Sequence, residues 1–285
     1  MKPIFAIDIT TDKKNEVING DEFITKTIPS QASEEFENRR ECLEQTVEKS
    51  KLPLWIRIVK YLSGVYALFV FIAIIKALGS ISFAEALRNA PILIGSGIIC
   101  GLIWLVLTLM AKSKEKAVMQ EENAEEQAEQ LEKNIQDIYD LLGVPADANT
   151  VDILTFNYKI KNEDIVIQYS ALQSAACFNA EMKIYVNDGM LHITDLETVH
   201  SFKLDELKAI KTVNKRISIL FWNKEEGPRS GEFKKYKMTE NNVGNVFFKP
   251  YYILEGERDG QAFGIYFPCY EIDVLERLTG LTAKE

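Results

Sequence analysis

The sequence predicts an α+β membrane protein in which a transmembrane helical hairpin and a helical stalk carry a cytoplasmic antiparallel β domain closed by a C-terminal helix. Three observations support this class. Two long apolar runs lie between residues 53 and 111, and a heptad repeat of apolar residues follows them. From about residue 150 onward, short runs rich in β-branched and aromatic residues fill the chain.

Composition narrows the class of protein. The 285 residues are 47% hydrophobic, which is ordinary for a folded chain. With 42 acidic and 33 basic residues the net charge is -9, which argues against nucleic acid as a partner. The four cysteines lie far apart and no histidine stands at zinc-ligand spacing, so we expect neither disulfides nor a zinc site.

Residues 1–29 are predicted to form a β-hairpin. The segments "IFAIDIT" and "EFITKTI" alternate like strands on either side of a turn signal at Asn19-Gly20. A lone hairpin is marginally stable in water, so we expect it to join another sheet. The first 50 residues contain no apolar stretch that predicts a cleaved signal peptide.

Two membrane spans are predicted, over residues 53–78 and 91–111. Asn89 to Ala111 is 23 residues without a charge, and an α-helix needs about 20 to cross the hydrocarbon. The first run is weaker because basic residues interrupt it. A buried helix of a soluble domain or a re-entrant segment is its alternative, but a second, stronger run after a short connection favours a hairpin.

The distribution of lysine and arginine predicts the orientation of the hairpin. Seven basic residues lie near the outer ends of the spans and two lie near the connection between them. The positive-inside rule therefore predicts a two-span cell-membrane protein with both termini in the cytoplasm. The external loop, residues 79–90, is too short for a sensor domain, and we expect at most a brief interfacial helix there.

Small residues in the second span predict close helix packing. Gly97 and Gly101 form a GxxxG pattern, which allows two helix backbones to approach. The partner is either the first span, at Ser63, Gly64 and Ala67, or a second copy of the chain. Neither span contains Asp, Glu or His, so a transporter or channel is disfavoured.

A helical coiled-coil stalk is predicted over residues 112–143. No Gly or Pro interrupts the segment, so we expect one continuous helix from the second span to Leu142. Its apolar seam comprises Ala117, Ala124, Ala128, Leu131, Ile135, Ile138 and Leu142, and the last four join Gly97 and Gly101 as candidate helix-packing residues.

The seam requires a partner, and the chain supplies one. Residues 30–52 are predicted to form an amphipathic helix in which Phe36, Leu43 and Val47 share one face. This helix can pair antiparallel with the stalk of its own chain, or the stalk can form a homodimeric coiled coil. The sequence is compatible with both arrangements.

Residues 150–285 are predicted to form the cytoplasmic β domain. Its strands follow one another at turn-length intervals, with turns such as Asn187-Asp188-Gly189 between them. The chain then closes with a short helix, whose apolar face contains Ile272 and Leu275.

The segment "MKIYVNDGMLHITDLETVHSFKLDELKAIKTV" resembles the opening of a bacterial pleckstrin-homology-like (PH-like) domain. That family has an apolar strand, a Gly turn, an "L-x-I-T-D" strand and an "F-x-L-x-E-L-x-x-I" stretch before the remaining strands and a C-terminal helix. The resemblance covers roughly residues 180–280, and an extra strand pair at 155–169 and a polar insert near 223–232 depart from it. It implies a domain that binds lipids, peptides or another domain of its kind.

No motif predicts catalytic, cofactor-binding or metal-binding residues. The chain has no phosphate-binding Gly loop of the GxxxxGK type. His192 and His200 are the only histidines, and neither has a cysteine or carboxylate at ligand spacing. Cys269 has aromatic neighbours, which favour a packed core residue over a reactive thiol. We therefore expect a protein that is not an enzyme.

Basic residues are concentrated between Lys208 and Lys237, where nine cations accompany three acids. A domain held at the inner leaflet can rest such a stretch against anionic headgroups. An ordinary solvated edge, whose lysines discourage strand pairing, is the alternative. The candidate lipid-facing residues are Lys208, Lys211, Lys215, Arg216, Lys234, Lys235 and Lys237.

Two functional hypotheses have support in the sequence, and a third, an enzyme of unrecognised type, has none. The first is a membrane-anchored, non-enzymatic interaction module whose β domain binds anionic lipid headgroups or a protein partner. The second is an oligomeric structural or assembly protein, built on the coiled-coil stalk and the packing of the spans.

Overall fold

The computed structural model describes residues 1–8, 16–18, 20–79, 88, 90–161, 164–167, 175–220, 222 and 224–284. The chain is a mixed α+β protein, as the sequence predicts. It divides into two compact units. The helical unit is Gln31–Gln136, and the β unit combines Met1–Ser30 with Asp137–Glu285.

Four long helices precede the main part of the β unit. They are α1 (Ser30–Ser50), α2 (Leu54–Leu78), α3 (Pro91–Glu121) and α4 (Ala124–Leu142). The two apolar helices α2 and α3 are each long enough to cross a membrane, and only 11% of the apolar window of each is buried. The central helix of a soluble domain would be mostly buried. Most of the predicted external loop, residues 80–87 and 89, lies outside the described residues.

The stalk differs from the prediction at one point. Helix α3 continues past Lys116 but ends at Glu121, and α4 starts at Ala124. Between them Asn123 has a φ of 50°, in the left-handed region that asparagine tolerates better than most residues. The Gln127 side-chain amide donates to the carbonyl oxygen of Glu122 at 2.7 Å, which satisfies an acceptor at the break. The prediction of one continuous helix is therefore wrong.

Helix α1 lies antiparallel to α4 in the same chain. Arg39 Nη1 donates to Gln130 Oε1 at 3.1 Å, and Thr46 Oγ1 donates to Gln127 Oε1 at 3.2 Å. The partner's residue number on α4 falls as the residue number on α1 rises, which is the pattern of an antiparallel pair. Of the two arrangements that the sequence allowed, the structure contains the intramolecular pair.

Two sheets and a short helix form the β unit. The first sheet has the strand order β1 (Lys2–Pro3), β15 (Gln261–Phe267), β14 (Tyr251–Arg258), β10 (Leu207–Val213) and β16 (Ala283–Lys284). The main path of the second sheet is β12 (Thr239–Glu240), β13 (Val246–Phe248), β11 (Ile217–Ile219), β7 (Ala175–Asn187), β5 (Asn149–Lys161), β2 (Ala6–Asp8) and β3 (Glu16–Ile18). Beside this path lie β4 (Ile24–Thr27), β6 (Asp164–Ile167), β8 (Met190–Thr194) and β9 (Thr198–Lys203). Helix α5 is Ile272–Thr279.

Most strand pairs in the β unit are antiparallel. Parallel pairs occur where a strand arrives from a distant part of the chain: β1 with β15, β2 with β5, β16 with β10 and β11 with β7. An antiparallel domain was predicted, so these pairs are additions to it. They arise because β1, β2, β11 and β16 each pair with a strand that is distant in sequence.

The N-terminal strands join the sheets, but with other partners than predicted. Strand β2 pairs with β3, which lies inside the predicted turn, and β4 pairs with β9. The pairing of "IFAIDIT" with "EFITKTI" is therefore wrong. Asn19 lies outside the described residues, whereas Gly20 has a φ of 70°, which glycine adopts without strain.

N-terminal side chains complete the core of the β unit. Ile4, Phe5 and Phe23 are at most 3% exposed and belong to the same buried cluster as Phe202 and Phe263. The ring of Phe23 lies 4.7 Å from each of these two rings. Residues 1–30 are therefore an integral part of this domain and not a separate hairpin.

Candidate functional site

A concave groove of about 460 Å³ lies in the β unit. It is formed by strands β12 and β13 and by the 3-10 helix Gly231–Tyr236. The lining includes four cations and four aromatic residues: Arg216, Lys235, Lys237 and Lys249, with Tyr236, Phe247, Phe248 and Tyr252. No carboxylate is among the described residues that line it. We call this feature the basic groove.

Strand register places two of the cations at one end of the groove. Strands β11 and β13 are antiparallel, and Ile217 pairs with Phe248. Arg216 directly precedes β11 and Lys249 directly follows β13, so both leave the strand pair at the same end. Sheet geometry, and not sequence proximity, brings these two positive charges together.

A neighbouring ring holds the Arg216 side chain. Its guanidinium carbon lies 4.4 Å from the centroid of the Phe247 ring. Such stacking uses the face of the guanidinium and leaves the N–H groups at its edge available to an anion. Arg216 is therefore oriented before any ligand arrives.

The other side of the groove is anchored by polar contacts. Lys235 Nζ lies 2.6 Å from Asp273 Oδ2, and this hydrogen bond raises the pKa of Lys235. The pair is exposed and adds little to stability, but it fixes a lysine at the groove. Tyr236 donates its hydroxyl hydrogen to the carbonyl oxygen of Tyr270 at 3.3 Å. Burial raises the pKa of Tyr236, which stays neutral.

Three of the four cations have no acidic partner among the described residues. Within the described part of the chain, Arg216, Lys237 and Lys249 form no ion pair, whereas Lys235 is paired with Asp273. Lys237 ends the 3-10 helix with a φ of 52°. The groove therefore carries uncompensated positive charge in a chain whose net charge is -9.

Cys269 contributes to the inner wall of the groove and is not a reactive thiol. It is 2% exposed, and its sulfur lies 4.0 Å from that of Met238. Burial raises the pKa of Cys269 to about 12, so the thiol keeps its proton at neutral pH. The prediction of a packed core residue is confirmed.

Three of the seven candidate lipid-facing residues line the basic groove, namely Arg216, Lys235 and Lys237. The other four do not. Lys208 and Lys211 lie on β10, where Lys211 Nζ is 3.6 Å from Glu255. Lys215 lies between β10 and β11, and Lys234 lies on the 3-10 helix.

Lys249 also lines the basic groove but is not among the residues predicted from the sequence. This residue lies beyond the basic stretch from Lys208 to Lys237, and only the strand register shows that it lies at the same end of the β11–β13 pair as Arg216. The available signal was a single cation between aromatic pairs, in "FFKPYY".

Of the candidate helix-packing residues, Gly97 and Gly101 pack against helix α2 of the same chain. A Cβ atom added at Gly97 would lie 2.5 Å from Val70 Cγ1, whereas one added at Gly101 would lie 3.8 Å from Ala67 Cβ. Trp104 similarly fills the space beside Gly64. The GxxxG pattern thus faces α2.

The stalk residues divide between the two units. Leu131 and Ile135 are half-buried in the helical unit, whereas Ile138 and Leu142 are 1% and 2% exposed in the β unit. No continuous seam is left for a second chain along these four residues.

A buried polar cluster lies elsewhere in the β unit. Asp152 is fully buried, its Oδ1 is 2.9 Å from Lys224 Nζ, and its Oδ2 accepts a hydrogen bond from the Tyr270 hydroxyl at 2.7 Å. Glu271 Oε1 accepts the backbone N–H of Asp152 at 3.0 Å, and burial raises the pKa of Glu271 to about 7. The sequence did not predict this cluster, because its members come from distant segments.

No protein-family model, curated protein or solved structure matches this chain. Among the described residues, no group of three or more His, Cys, Asp or Glu side chains is placed to hold a metal ion. The basic groove and the two apolar helices are the features of the chain that bear on its function.

Proposed function

We propose that this protein is a membrane-anchored, non-enzymatic interaction module. Helices α2 and α3 span the membrane, and the β unit is a PH-like domain at the cytoplasmic face that binds anionic lipid headgroups through the basic groove. The observation that carries the proposal is the groove itself, which gathers Arg216, Lys237 and Lys249 without an acidic partner among the residues that the structure describes.

The connectivity of the β unit supports the proposed topology. Its two parts, Met1–Ser30 and Asp137–Glu285, lie on either side of the helical pair in sequence. One folded domain occupies one compartment, so the segment between its parts must cross the membrane an even number of times. Two spans with both termini on one side satisfy this condition, and the positive-inside count selects the cytoplasm.

The strand arrangement is compatible with the PH-like resemblance. Strands β7, β8 and β9 form an antiparallel meander, and β10, β14 and β15 are neighbouring antiparallel strands of the other sheet, before α5 closes the domain. Most residues that line the groove lie on the segment between β10 and β14, and Tyr252 and Cys269 complete the lining. The proposed ligand surface therefore lies within the stretch of residues 180–280 that carries the resemblance.

The alternative, an oligomeric structural protein, has less support. Gly97 faces Val70 of the same chain, and α1 occupies one side of α4. Both features that suggested oligomers are thus used within one chain.

Hydrogen exchange on the full-length protein in nanodiscs tests the headgroup interaction. In nanodiscs that contain phosphatidylglycerol, exchange should slow in residues 231–250 relative to pure phosphatidylcholine. High salt should remove the difference, because the distance over which exposed charges interact falls from about 8 Å at physiological ionic strength to about 3 Å at 1 M salt. Equal exchange in both lipids would contradict headgroup binding and favour a protein partner.

Matched charge variants show whether the groove is responsible. A groove triple variant, Arg216→Gln with Lys237→Gln and Lys249→Gln, should lose the protection. A control triple variant, Arg229→Gln with Lys26→Gln and Lys284→Gln, removes the same charge from exposed positions outside the groove and should keep it. Equal loss in both variants would indicate a diffuse effect of net charge.

A further inference from the structure

We propose that the basic groove is a specific site for a terminal phosphate monoester, and not only a surface for anionic lipid in general. This inference deepens the proposed function and rests on it. It concerns which anion the groove selects, whereas the proposed function requires only that anionic headgroups bind.

The charge of the groove favours a dianion. Arg216, Lys237 and Lys249 are uncompensated, and no carboxylate lines the groove among the described residues. A phosphate diester carries one negative charge, whereas a monoester carries about 1.5 to 2 at pH 7. The monoester also offers three terminal oxygens, which suits several cations that line one groove from different elements.

The positions of the cations favour a single compact anion. Arg216 and Lys249 enter from one end of the β11–β13 pair, while Lys235 and Lys237 enter from the 3-10 helix. The Phe247 ring orients the Arg216 guanidinium, which can then donate two parallel N–H groups to phosphate oxygens. A flat membrane-binding patch would require neither a concave wall nor a stacked arginine.

The size of the groove leaves room for the group that bears the phosphate. About 460 Å³ exceeds the volume of a phosphate, and Tyr252 and Phe247 supply apolar lining beside the cations. A glycerol or similar polyol fits this space. Phosphatidic acid and soluble glycerol 3-phosphate share this chemistry, and the experiment must separate these two sources.

Calorimetric titration of the detergent-solubilised full-length protein tests the inference. Short-chain phosphatidic acid, short-chain phosphatidylglycerol and glycerol 3-phosphate are titrated separately. We expect phosphatidic acid to bind at least about fivefold more tightly than phosphatidylglycerol, the effect of one additional well-placed charge. The groove triple variant should lose this preference, and the control triple variant should retain it.

Each outcome decides a separate question. Binding of phosphatidic acid without glycerol 3-phosphate supports a lipid monoester, and equal binding of both supports a monoester from a soluble source. Equal affinity for phosphatidic acid and phosphatidylglycerol, lost in the groove triple variant, overturns monoester selectivity but leaves the proposed function standing. Absence of binding to all three compounds overturns both the monoester selectivity and the proposed function. A preference for phosphatidic acid that survives in the groove triple variant overturns the assignment of the site to the groove.

Discussion

Glu271 accepts a hydrogen bond from the backbone N–H of Asp152 at 3.0 Å, which joins the start of α5 to strand β5 inside the β unit. Both side chains are carboxylic acids, and neither is more than 8% exposed. Lys224 and Tyr270 contact the Asp152 carboxylate, whereas the Glu271 carboxylate accepts the backbone N–H of Asp152. The stability of the domain should therefore depend on the protonation of Glu271.

The first prediction concerns pH. Burial raises the pKa of Glu271 from 4.5 to about 7, so the folded protein binds this proton more tightly than the unfolded chain. Its contribution to stability is fully present below pH 4.5 and is lost as pH rises through about 7. The loss should not exceed about 3 kcal/mol. Glu271→Gln should flatten this part of the pH dependence.

Urea unfolding of the full-length protein, followed by near-UV circular dichroism between pH 5 and pH 8, provides the measurement. The wild type should lose stability relative to Glu271→Gln as the pH rises. Parallel curves for the two proteins would show that Glu271 does not titrate in this way.

The second prediction concerns Tyr270. Tyr270→Phe removes the hydroxyl that donates to the buried Asp152 carboxylate at 2.7 Å, and we expect a loss of about 1–3 kcal/mol in the free energy of unfolding. Tyr236→Phe is the control, since its hydroxyl donates over 3.3 Å to a backbone carbonyl at a less buried position. Chemical denaturation should show a smaller loss for Tyr236→Phe, and equal losses would argue against special importance of the Asp152 contact.

The third prediction concerns the packing of α2 and α3. Gly97→Ala should destabilise the helical pair by about 1–3 kcal/mol, because the new methyl group would overlap Val70. Gly101→Ala should be nearly neutral, because its methyl group would lie 3.8 Å from Ala67 Cβ. Thermal unfolding in detergent measures the effect. Adding Val70→Ala to Gly97→Ala should restore part of the stability, and failure of this rescue would place the Gly97 contact elsewhere.

The fourth prediction concerns the divided β unit. Residues 137–285 alone should not fold, because Ile4, Phe5 and Phe23 fill their core and β4 covers β9. Residues 1–30 joined to residues 137–285 by a flexible Gly/Ser linker should fold. Dispersed amide resonances in the NMR spectrum of the linked protein, and their absence from the shorter fragment, are expected. A folded shorter fragment would show that the N-terminal strands are dispensable.

Local patterns predicted much of the fold. The apolar runs predicted α2 and α3 because length and lack of charge are properties of a single segment. The amphipathic spacing of Phe36, Leu43 and Val47 predicted α1 for the same reason. The break at Asn123 was missed, since asparagine interrupts a helix less regularly than glycine or proline.

Features that depend on distant segments were not predicted. The parallel pairing of β2 with β5 joins residues about 150 apart, and no local signal specifies it. The basic groove shows the same limit, because the charge count found Arg216, Lys235 and Lys237 but not Lys249. The segment "FKKYKM" is largely a 3-10 helix, and two of its lysines, Lys235 and Lys237, line the groove.

The insertion of a helical pair within the β unit imposes an order on biosynthesis. Residues 1–30 leave the ribosome first, and their strand partners follow only after Gln31–Gln136. At about 5–20 residues per second, β4 waits on the order of ten seconds for β9. With the proposed topology, a chain that inserts only one helix leaves these strands in different compartments, and its sheet stays incomplete. On that topology the sheet can be completed only after both helices have inserted, because β4 and β9 then lie in the same compartment.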